Sequence, residues 1–234
     1  AEAVFHQALE LATTQYSLRL PVACRALLGL SEIAREWNHL EQARRLLEEA
    51  LQLSRQYNET GELVMYLSLA RVLQEQGDGE KALELLQKAQ AIAIQSTSST
   101  IDDRLVDAAL ARLWLQQGNI TAAAEWAARR GFEQDIITEA LPGSGSRLIP
   151  YDLREAEWLV YARLHLAQNQ AEAALETLTL LLAEAEKQGR ARRLHDILLQ
   201  MALAYQMQGA IDLAVNALAR SLKQAEPEGY TRVF

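Results

Sequence analysis

Apolar residues recur along this chain at three- and four-residue intervals, in blocks separated by short polar turns. One block runs Leu63, Tyr66, Leu67, Leu69, Ala70 and Leu73, and its successor runs Ala82, Leu85, Leu86 and Ala89. A later pair has Leu198, Leu199, Met201, Ala202 and Tyr205, then Leu213, Ala214 and Leu218. This spacing predicts amphipathic helices with one face buried. The turn between paired blocks is repeated five times, as WNHLEQA, QGDGEKA, QGNITAA, QNQAEAA and QGAIDLA. Its second residue is Asn38, Gly77, Gly118, Asn169 or Gly209, the residue types that tolerate the left-handed conformation ending a helix. Five residues on stands Ala43, Ala82, Ala123, Ala174 or Ala214, and seven residues before stands Ser31, Ala70, Ala111, Ala162 or Ala202. Small side chains on both sides of a bend let two antiparallel helices approach closely. The pattern therefore predicts hairpins at 22–56, 61–95, 101–130, 152–188 and 190–225, with residues 1–18 as the second helix of a leading half-repeat.

This periodicity resembles the tetratricopeptide repeat, with Trp158 and Tyr205 at two of that repeat's aromatic positions. The fold expected is all-α, a right-handed superhelix of about five hairpins forming one domain over 1–234. Two features depart from the pattern. Successive turns lie 39, 41, 51 and 40 residues apart, against the usual 34, and the proline that closes each repeat is missing. The longest interval contains residues 131–150, GFEQDIITEALPGSGSRLIP, which reads as a surface loop. The STSST run at 96–100 reads as a shorter one that caps the next helix.

Composition agrees: half the residues are hydrophobic, with 11 Gly and 4 Pro among 234. The net charge of −8 argues against this segment gripping nucleic acid. No run of about 18 apolar residues offers a membrane span. The single Cys24 forms no intrachain disulfide, fits a reducing cytoplasm, and is expected as a small core residue. His6, His39, His165 and His195 lack metal-ligand spacing, and no nucleophile elbow or phosphate-binding loop is present. The expectation is a chain with no catalytic residues, no metal and no cofactor. Its carboxylates are expected on solvated helix faces, as in Glu41–Arg45 and Glu84–Lys88. Trp37, Trp114, Trp126 and Trp158 are expected as packing residues, with Trp114 and Trp126 touching across the third hairpin.

One polar set points to binding. Arg71, Arg112 and Arg163 stand six residues before three consecutive turns. In tetratricopeptide arrays this register faces the concave groove, where a guanidinium ladder receives carboxylates, phosphates or sugar hydroxyls. Arg35, Gln74 and Gln116 are further groove candidates. The alternative is that these arginines pair with acidic residues of adjacent helices and hold the stack together.

The closing segment AEPEGYTRVF adds a more specific likeness through Glu226, Pro227, Glu228, Gly229, Tyr230, Arg232 and Phe234. With LARVLQEQG (69–77), LARLWLQQGNITAAAEWA (110–127) and YDLREAEWLVYARLHLAQ (151–168), it resembles the helical-repeat region of MalT-like, LuxR-type ATP-dependent transcription activators. The resemblance implies a cytoplasmic bacterial regulator with an ATPase module before the repeats and a helix-turn-helix after them. In that frame the chain is a sensor fragment. Its groove takes a small-molecule inducer or a protein partner, and the full-length protein self-associates while DNA contact belongs elsewhere. A peptide-binding adaptor with no inducer remains the alternative.

Overall fold

The computed structural model describes residues 2–13, 20–57, 61–95, 99–132 and 151–226. Among them the secondary structure is eleven helices and no strand. They are α1 (Glu2–Leu11), α2 (Ala23–Glu36), α3 (Leu40–Tyr57), α4 (Glu62–Glu75), α5 (Gly79–Gln95), α6 (Ser99–Gln116), α7 (Ile120–Arg130), α8 (Tyr151–Ala167), α9 (Ala171–Lys187), α10 (Ala191–Met207) and α11 (Ile211–Ala225). The five expected hairpins are α2–α3 through α10–α11, and α1 is the leading half-repeat. Most of the 131–150 loop and the closing 227–234 lie outside the described residues.

All five hairpin turns are built alike. Asn38 and Asn169 have φ of 61° and 60°, and Gly77, Gly118 and Gly209 have φ of 90°, 76° and 74°. Each donates its amide to the carbonyl three residues back, and the next residue donates to the carbonyl five back: His39 to Ala34 (2.7 Å), Asp78 to Leu73 (2.9 Å), Asn119 to Trp114 (2.8 Å), Gln170 to His165 (2.8 Å) and Ala210 to Tyr205 (2.9 Å). This pairing satisfies carbonyls that a helix end leaves open. A sixth copy joins α9 to α10, where Gly189 has φ 65° and Arg190 donates to Ala185 at 3.0 Å.

The chain forms two compact units, Ala1–Val106 and Asp107–Phe234. In the first, α1 to α5 pack each on the next, and α2 also touches α4. In the second, α8 packs on α7 and α9, α10 on α8 and α9, and α11 on α10. Ala43, Ala82, Ala123 and Ala174 are fully buried, as are Ala111 and Ala162 on the opposing helices. Ala214 and Ala202 are half-buried, because among the described residues α11 packs on α10 alone. Cys24 is a buried core residue whose thiol faces the Ala50 carbonyl at 3.5 Å.

Three expectations change. Trp126 packs its ring on Phe132 at 5.2 Å, and Phe132 in turn stacks on Tyr161 at 4.5 Å and meets Trp158 edge-on at 4.8 Å, while Trp114 packs against the edge of this cluster with no ring pairing to Trp126 among the described residues. Trp114 is rotated one residue past the fully buried Leu113 and is half-buried. The surface pair Glu41–Arg45 is replaced by Glu41 accepting from Gln76, the residue that caps the end of α4, at 2.7 Å. Nor are all carboxylates solvated. Glu155 and Glu157 are each 1% exposed. Arg193 Nε (3.1 Å) and Arg190 Nη1 (3.4 Å) reach Glu155, and Arg130 Nε reaches Glu157 at 3.0 Å. Arg130 and Arg193 come from other helices and Arg190 from the α9–α10 turn, so these buried charges are compensated across packing seams.

Candidate ligand groove

The second unit holds a groove of about 330 Å3 along its first-of-hairpin helices α6, α8 and α10. Its apolar lining is Leu115, Leu166, Ala167, Leu199 and Leu203. Its polar groups are Arg112 and Gln116 from α6, Arg163 from α8, and Asp196 and Gln200 from α10. The volume sits at the low end of the range for small-molecule sites, about 300–1,000 Å3.

The hairpin repeat explains the convergence. Arg112 and Arg163 occupy the same register, six residues before their turns, so stacking hairpins places both guanidinium groups in one groove. In the fifth hairpin that register is Leu203, which ends the basic row with an apolar contact. Asp196, Leu199, Gln200 and Leu203 follow i, i+3, i+4, i+7 spacing and share a face of α10. Asp196 Oδ1 lies 3.8 Å from Arg163 Nη2, with the two side chains 25% and 33% exposed. With the Gln200 amide oriented to suit its neighbours, its oxygen accepts from Arg163 Nε at 3.2 Å and its nitrogen donates to the Leu159 carbonyl at 3.3 Å. The guanidinium is thus held by Gln200 on its Nε side and faces Asp196 on its Nη side.

Three of the six candidate residues, Arg112, Gln116 and Arg163, line this groove. Arg35, Arg71 and Gln74 belong to the first unit. Arg35 is a correction, since it is 2% exposed and faces no groove. Its Nη1 lies 3.0 Å from Glu75, its Nε 3.5 Å from Glu32, and its Nη2 binds Glu36. Three positions closer to the turn than Arg71, it points into the α2–α4 packing instead of outward. For Arg35 the stack-holding alternative is what the geometry gives. Arg71 pairs with Glu75 at 3.4 Å and is 26% exposed. The Gln74 side-chain nitrogen is buried without a hydrogen-bond partner among the described residues. The arginine register alone does not reach Asp196, Leu199 and Gln200. Their spacing with Leu203 along α10 was the available signal.

Residues 1–234 match the family described as MalT-like TPR region. The chain belongs to the MalT-like TPR family. Among curated proteins, the HTH-type transcriptional regulator MalT of Vibrio campbellii is 26% identical over 151 residues. That stretch is 64% of this chain but spans only 15% of the regulator. Two crystal structures of TPR-like repeats from a Podosopora anserina putative kinesin light chain, one a point variant, superpose with a TM-score of 0.51. They are 22% and 23% identical, with 90% of this chain covered and 98% and 99% of theirs. At that identity the likeness concerns the fold alone, a tetratricopeptide-like stack of helix hairpins. Among the described residues of this MalT-like TPR chain, no helix is long and apolar enough to cross a membrane, and no cluster of His, Cys, Asp and Glu is grouped to hold a metal ion.

Proposed function

We propose that this chain is the effector-sensing and interaction domain of a MalT-like transcription regulator. An effector seated in the α6–α8–α10 groove biases the packing of neighbouring hairpins. That bias passes to self-association and DNA binding by domains elsewhere in the polypeptide, acting in the cytoplasm. The observation that carries this reading is that Arg112 and Arg163, from successive hairpins, line one groove together with apolar residues in a MalT-like TPR chain. Hairpins in such arrays touch mainly their neighbours, so small changes in packing propagate along the stack. The effector shifts the balance only by the difference in its affinity for two packings, typically about 1–3 kcal/mol.

The test is a thermal-shift screen of small metabolites against the wild-type chain and the Arg112→Ala/Arg163→Ala double variant. An effector at 100 times its Kd stabilises the folded state by about 2.7 kcal/mol. Hits should lose that shift in the double variant while the unliganded melting temperature changes little. Hits that shift both proteins equally defeat the groove assignment. The apolar lining also suits a peptide, so groove-dependent binding of peptides but of no metabolite favours the adaptor alternative.

A further inference from the structure

We infer that α3, α4 and α5 hold a second binding site, taken by a segment of a protein partner that carries both apolar and acidic side chains. It is independent of the α6–α8–α10 reading, because all its residues belong to the unit Ala1–Val106. α4 packs on both α3 and α5, and a groove of about 470 Å3 is lined by all three helices. Glu48, Leu51 and Arg55 stand at i, i+3 and i+7 on α3, and so share one face of it. Leu85 and Lys88 come from α5, three residues apart. With Leu69 of α4, the leucines give the site its apolar lining.

The charges along this groove favour an acidic visitor. Glu48 accepts from Arg44 Nε at 3.0 Å, so its carboxylate is already matched. The Arg55 guanidinium lies 5.7 Å from the centre of the Tyr66 ring and meets the Tyr66 hydroxyl, which fixes it beside the groove. Its Nε stands 3.9 Å from Glu62, outside the about 2.7–2.9 Å of a charge-assisted hydrogen bond. Lys88 is exposed and makes no ion pair among the described residues, even with Glu84 one turn earlier on α5. A carboxylate entering here gains Lys88, whereas a basic group meets two cations. The exposure of these groups sets the size of the partner. Small-molecule sites bury about 70–90% of their ligand, but the Arg55 side chain is 57% exposed and Lys88 lies on the surface. A protein segment brings its own cover for such contacts, and a free metabolite does not.

The test titrates the 234-residue chain with an acetylated, amidated hexapeptide alternating leucine and aspartate, followed by amide NMR. Its leucine–asparagine counterpart and hexanoate serve as comparisons. The aspartate peptide should give saturable shifts in α3, α4 and α5, and its affinity should fall as salt is raised. Lys88→Met keeps the aliphatic stem and should weaken binding roughly two- to fivefold, the scale of one exposed charge pair, while Lys88→Arg should retain it. Equal binding of the aspartate and asparagine peptides, or unchanged binding in Lys88→Met, overturns the acidic recognition. Hexanoate binding here as tightly as the peptide overturns the protein segment in favour of a small anion. No saturable shift in α3, α4 or α5 overturns the site, and shifts in α6, α8 and α10 alone do so while leaving the ligand-groove reading intact.

Discussion

Replacing Arg35 with methionine removes the guanidinium that meets Glu32, Glu36 and Glu75, and keeps a side chain of similar length. The arginine is 2% exposed, and the side chains of Glu36 and Glu75 are 9% and 14% exposed. Breaking a buried ion pair by deleting one partner costs about 3–5 kcal/mol, because the remaining charge stays desolvated. Arg71 still pairs with Glu75 at 3.4 Å, so the lower figure, about 3 kcal/mol, applies. For a unit of this size each kcal/mol lowers the melting temperature by roughly 4–8 °C, which places the loss at about 12 °C or more. The assay is differential scanning calorimetry of wild type, Arg35→Met and Arg71→Met. Arg71 is a partly exposed i, i+4 partner, and its replacement should cost only about 0.5 kcal/mol. Binding in the α6–α8–α10 groove should be unchanged by Arg35→Met. A drop below about 4 °C, or one no larger than that of Arg71→Met, would show that water reaches the cluster and would refute the reasoning.

Other perturbations test the turns, the seams and one surface charge. Gly209→Ala should cost about 1–2 kcal/mol; its φ is 74° and an added Cβ meets nothing within 4 Å, so the loss is purely backbone, and denaturant melts would expose it. Ala174→Leu, at a fully buried position, should cost about 1–3 kcal/mol through overpacking between α8 and α9, read as a lower urea midpoint. A Cβ on Gly29 would overlap the far edge of the Phe5 ring. Gly29→Ala should therefore undock α1, seen as faster hydrogen exchange over Glu2–Leu11, and Phe5→Leu should restore protection. The Asp78 carboxylate accepts from the Lys81 side chain and backbone amide, which hold its pKa below the ordinary value. Its contribution to stability is thus present above the unfolded pKa and lost as pH falls through the folded one. NMR titration should place its midpoint below that of an unstructured aspartate, and Lys81→Met should raise it.

The hairpins were legible because their signals are local. A residue that must adopt positive φ narrows the choice to Gly or Asn, and an alanine at zero exposure marks where two helices meet; both leave a trace at one position. Gly189 makes the same turn between α9 and α10, yet it was missed because no small-residue pair flanks it at the hairpin spacing. Half of the groove was legible for the same reason, since Arg112 and Arg163 share a register that repetition carries into one place. The other half was not. Asp196 and Gln200 lie on a different turn of α10, and their roles depend on how far α10 slides along α8.

The chain alone determined the helices, their pairing and the bends between them, since these depend on backbone preferences and periodicity within some 40 residues. Tertiary packing decided which charges are buried. Arg35 stands three positions nearer its turn and is enclosed by carboxylates of two helices; Arg71 and Arg163 share one register, yet the first pairs with Glu75 and the second lines a groove. Desolvation is a property of everything that surrounds a group, and its own position in the sequence carries no record of that.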